Sequence, residues 1–229
     1  MDKAAESYIR ELIALLDRLG DEMPHNILHV DLTAPQATVD EALEQMKKRL
    51  TSGAHQSGSN AAELHKAVLA RDTMTDAALN KQIVDLKIIR DTLRALKGNQ
   101  PRAILGLPAS HRSLSDKALI ERSFAAKKAA LNVEDSTRTA ALAQLCAARA
   151  VLLYPGVSDG VAQFQYYLES APLLQVLTQD KPALSYPYSD KLLKEVETVS
   201  TSPQKMKDKF FHHLLRFGTE KQAQGPSRK

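Results

Sequence analysis

Residues 102–135 read RAILGLPASHRSLSDKALIERSFAAKKAALNVED, and the reading of the fold starts from them. Leu119, Ile120, Phe124 and Leu131 recur at the spacing of one helical face, with Ser115 positioned to start the helix. The segment NVEDST then turns the chain. Beyond it Leu142, Leu145, Cys146, Arg149, Leu152 and Leu153 repeat the pattern until Pro155-Gly156. Each helix needs a partner for its apolar stripe, and the connection is short. The expectation is a brief opening helix after Pro101 followed by an antiparallel helical hairpin.

Working outward, the same periodicity holds on both sides. Tyr8, Ile9, Leu12, Ile13, Leu16 and Leu19 form one face of a helix that Gly20 ends. DEMPHNILHVDLTAPQ contains two prolines and reads as irregular. Thr38 and Glu41 have the spacing of a capping box for a helix running to about Leu50. TSGAHQSGSN has the composition of a linker. From Ala61 to Leu96 the pattern is helical again, with a break near Thr73–Thr75. Leu79, Leu86 and Leu93 are seven apart there, but Gln82 interrupts the seam, which favours ordinary bundle packing over a coiled coil. Gly98 and Pro101 close this region. Further helices are expected at 161–177, 189–199 and 203–217. No useful alternating strand pattern occurs. The chain therefore reads as all-α: N-terminal helices over 1–52, a linker at 53–60, a long helical region at 61–100, the hairpin module at 101–156, C-terminal helices at 157–217, and a basic, disordered tail at 218–229.

Composition agrees. Aromatics are 5% of the 229 residues and tryptophan is absent, while alanine and leucine, good helix formers, are abundant. The single cysteine, Cys146, cannot close an intrachain disulfide, which suits a reducing, intracellular compartment, cytoplasmic with nuclear as the alternative. No apolar run approaches the roughly 20 residues of a membrane span. Asp2, Glu6 and Glu11 argue against a secretory leader. From Ser200 onward seven cations stand against two anions, a net +5 in a chain of formal charge +4. Such a tail can engage nucleic acid or an acidic protein face, or act only as a solvated end.

The 101–155 stretch resembles a J-domain, the helical module that stimulates seventy-kilodalton heat-shock chaperones. AILGLP is similar to that family's opening segment. SLSDKALIERSF is similar to its second helix, with Phe124 as the packed aromatic. LCAARAVLLYP is similar to its third helix, with Ala148, Val151, Leu152 and Pro155 in place, although Arg149 stands where an aromatic is usual. The resemblance covers roughly 55 residues, and its motifs are short. In this register the family's His-Pro-Asp loop falls on Asn132, Val133 and Glu134, none of which matches. Glu134 keeps an acid, but Val133 cannot preset the turn. The resemblance thus implies a J-like fold without ordinary co-chaperone activity. Lys117, Arg122, Lys127 and Lys128 keep the second helix basic, so that an acidic protein could dock there, together with Asn132, Val133 and Glu134. The alternative is an ordinary helix pair with a solvated face.

Catalytic and metal signatures are not found. His25 and His29 are four apart beside Pro24, His212 and His213 are adjacent, and His55, His65 and His111 are isolated. With one cysteine these do not suggest structural zinc. Cys146 lies on an apolar helical face, where it reads as a small hydrophobe. No nucleophile elbow, phosphate loop or dinucleotide fingerprint occurs. The expectation is a non-catalytic interaction or scaffold protein without a cofactor, acting as adaptor or assembly subunit on a protein partner. The alternative is a nucleic-acid-associated protein that uses its basic C-terminal region.

Overall fold

The computed structural model describes residues 3–52, 58–108, 117–131, 136–170 and 188–197, and every regular element among them is helical. In chain order these are α1 (Lys3–Arg18), α2 (Pro24–Leu28), α3 (Gln36–Ser52), α4 (Gly58–Thr75), α5 (Ala77–Leu96), α6 (Pro101–Leu105), α7 (Lys117–Ala129), α8 (Ser136–Leu153), α9 (Pro155–Ser170) and α10 (Asp190–Glu197). The all-α expectation holds over these residues. The expected helix at 203–217 and the tail at 218–229 lie outside them.

Several boundaries differ from the sequence reading, each for a local reason. DEMPHNILHVDLTAPQ is not wholly irregular, because Pro24 occupies the start of α2, where its missing N–H costs nothing. Thr38 does not cap α3. The helix begins at Gln36, and the carbonyl of Pro35 already accepts from the N–H groups of Thr38 and Val39. Of the expected linker, residues 58–60 are helical and open α4. The break near Thr73–Thr75 falls at Asp76, whose carboxylate accepts from the N–H groups of Ala78 and Leu79 and so caps α5. Pro155 ends α8 and also starts α9, which leaves at 106° to it.

Two compact units divide the chain. One comprises Ile9–Lys87 and the other Ile88–Lys229 together with Met1–Tyr8. In the first, α2 and α3 pack on α4. Ile9, Leu12, Ile13, Leu16, Leu19, Ile27, Val39, Ala67, Ala70 and Ile83 are among its buried side chains. Arg71 of α4 donates to Asp40 of α3 at 2.7 Å. The second unit contains α6–α10, with α8 against α6, α7 and α9, and α10 against α9.

The seven-residue leucine seam does not define a face of α5. All residues from Gln82 to Thr92 are buried, so the helix is enclosed around its circumference there. It nevertheless carries Asp85, Lys87, Arg90 and Asp91 inside. Lys81 donates to Asp85 at 2.9 Å, Lys87 pairs with Asp21 at 3.5 Å, and Arg94 lies 3.6 Å from Asp91.

Candidate functional site

The residues that suggested the docking module come together in α6, α7 and α8. The opening ILGLP segment is a helix stop. Gly106 has φ +70 and donates its N–H to Ala103, while the N–H of Leu107 reaches Arg102. This is a Schellman termination, in which the left-handed residue suits glycine and the following apolar residue turns inward. Leu105 and Leu107 are buried accordingly. The hydroxyl of Ser123 on α7 donates to the carbonyl of Leu105 and fastens the two helices. Ile120, Leu145, Ala147 and Ala148 are also buried. Arg149, late in α8, meets Glu121, early in α7, so the hairpin is antiparallel.

Arg149 is the residue whose role sequence reasoning missed. Its guanidinium lies over the Phe124 ring, 5.4 Å from the centroid. It donates to both Glu121 oxygens, at 2.8 and 2.7 Å, and to both Asp190 oxygens of α10, at 2.9 and 3.3 Å. The Tyr154 hydroxyl donates to the same Asp190 at 3.1 Å. The flat guanidinium of Arg149 thus stacks on the Phe124 ring inside the hairpin. These bonds raise the guanidinium pKa further, Glu121 first and Asp190 second. The Asp190 carboxyl is held below its usual range, chiefly by its hydrogen bond from Arg149. Burial and then Asp190 push the Tyr154 hydroxyl up. An arginine inside an apolar helical pattern was the available signal, since a cation there needs acids on neighbouring elements.

Lys117, Arg122, Lys127 and Lys128 are all exposed on α7, and none forms an ion pair with a described residue. They do not form one stripe. At about 100° per residue, Lys117 and Lys128 lie close in angle, whereas Arg122 and Lys127 point well away from them. The arm of Lys127 passes over Gly106 and would come within 3.2 Å of a Cβ there. Asn132, Val133 and Glu134 lie outside the described residues. Cys146 is buried, and burial raises its thiol pKa, which disfavours the thiolate. Among the described residues no three His, Cys, Asp or Glu side chains converge as metal ligands. His25 is the second residue of α2 and is half-buried, with burial lowering its pKa, while His29 is exposed beyond the end of that helix.

No family model matches the chain, no curated protein matches it, and no solved structure matches it.

Proposed function

We propose that the chain is a non-catalytic interaction protein, an adaptor or assembly subunit, with a J-like docking module at 101–156 that lacks the activating loop. One observation carries the reading. Residues of α6, α7 and α8 bury a shared apolar core while α7 leaves four cations exposed and unpaired among the described residues. A module can keep its shape and lose its trigger, because shape depends on the core and activation on the loop. The cations steer an acidic protein toward α7, and apolar contacts beside them hold it, since exposed ion pairs contribute only about 0–1 kcal/mol each.

The test is charge reversal in the full chain. Lys127→Glu combined with Lys128→Glu should reduce partner recovery several-fold, with helical content and Tm unchanged. Unaltered recovery would show the basic positions to be solvated surface. The loop has a separate readout. The chain should not stimulate ATP hydrolysis by a seventy-kilodalton heat-shock chaperone. A rise in rate that Glu134→Ala removes would contradict the reading of residues 132–134.

A further inference from the structure

An open groove of about 500 Å³ runs along α3, entirely within the Ile9–Lys87 unit. One wall is the end of α2 and the residues after it, Leu28, His29 and Val30. The other is a single stripe of α3: Thr38, Glu41, Ala42, Gln45, Met46 and Arg49. These positions are spaced three and four apart, so they share one side of the helix for about three turns. Val39 and Leu43 face the core instead. The stripe is therefore a second, solvent-facing side of a helix already anchored by its first.

Its charges are ordered. Asp40 is engaged by Arg71 at 2.7 Å, and Glu44 by Lys47 at 2.6 Å. Glu41 accepts only the Gln45 amide, at 3.2 Å. Lys48 and Arg49 are exposed and pair with no acid among the described residues. One end of the stripe thus presents an acid and the other presents cations, separated by about 12 Å along the axis. Gln45 lies midway between Glu41 and Arg49 in sequence.

We infer that this groove is a homodimer seam, in which a second copy of the chain lays its α3 antiparallel to the first across a twofold axis at Gln45. Antiparallel pairing about that residue sets Glu41 of each copy against Lys48 and Arg49 of the other. A twofold interface makes both contacts at once, because each patch meets its own image. Ala42 and Met46 supply the apolar contact beside the charges, and the small alanine lets the backbones approach. A parallel copy would place Glu41 against Glu41 and Arg49 against Arg49, which is repulsive. A seam of one helix face is small for a permanent dimer, so the association should be reversible on dilution.

The experiment is sedimentation velocity on the full chain over a dilution series at low salt. The wild type should show a monomer–dimer equilibrium. Glu41→Lys alone and Arg49→Glu alone should each weaken it by about tenfold, because each sets like charges against each other. The double variant should recover, since exchanging both signs restores opposite charges in a twofold pair. Both side chains are exposed, so far-UV circular dichroism should not change. A monomer at every concentration overturns the inference. So does a dimer indifferent to the single reversals, or a double variant no better than the singles.

Discussion

Asp85 shows how much a single residue can hide in this sequence. It looks like one more surface carboxylate among lysines, yet it is buried, and burial pushes its pKa up to about 6 although Lys81 pulls the other way. The unfolded carboxyl titrates near 3.8. Between those values the native state holds a proton that the unfolded chain has lost. Stability from this group should therefore be greatest below the unfolded pKa, fall as pH rises toward 6, and level off above it. Asp85→Asn should remove that slope and raise stability near pH 7 by about 1–3 kcal/mol. Urea midpoints of both proteins from pH 4 to 7.5 measure this, and parallel curves would show that Asp85 titrates normally. Other residues were more legible. Gly20 and Gly98 announce helix stops, and both adopt positive φ. His29 makes the same kind of stop at φ +55, but no residue type signals it, because histidine enters that region only where the surrounding structure holds it there.

At the scale of elements, the helices were legible wherever one face is apolar and the other polar. In α1, Ile9, Leu12, Ile13 and Leu16 are all buried, as is Leu19 just beyond its end, as their spacing predicts. α5 was not legible in the same way. Its charged residues suggest a solvent face, whereas the helix is enclosed and pairs several of those charges internally. Periodicity reports which residues are apolar, not which polar groups will find partners. The same limit concealed the tie between α7, α8 and α10 at Arg149. Its two acids should not contribute equally. The Glu121 side chain is 34% exposed and takes its two hydrogen bonds at 2.8 and 2.7 Å, while Asp190 is 55% exposed and takes its two at 2.9 and 3.3 Å. A double-mutant cycle between Arg149 and Glu121 should give a coupling of about 1–2 kcal/mol, and one between Arg149 and Asp190 under about 1 kcal/mol. Arg149→Lys should lose much of both couplings, since an ammonium cannot form either two-pronged contact. Equal couplings would mean that the shorter bonds and lower exposure at Glu121 contribute nothing.

At the scale of the whole molecule, charge is uneven. The last thirty residues carry +5, so the other 199 carry −1 of the formal +4. The all-α architecture was legible because amphipathic helices advertise themselves. The candidate site was legible only in part: the cations on α7 could be named, but not their spread around the helix, because their order in sequence does not show which of them face a partner together. The two functional readings draw on different parts of this charge, and salt separates them. Binding through the C-terminal cations to nucleic acid would release counterions, so affinity would fall linearly with salt on a log–log plot, by about 0.7–0.9 per phosphate contact. With seven cations available, the slope could reach about −5 or −6. Docking of a protein on α7 involves few charges, which salt screens at ordinary ionic strength, plus apolar contact that salt does not weaken. Partner recovery by the full chain should therefore survive nuclease treatment and deletion of residues 200–229, and should decline only modestly between low and physiological salt. Release by nuclease, or a steep salt slope that disappears with residues 200–229, would instead assign binding to the basic C-terminal region and leave α7 as a solvated surface.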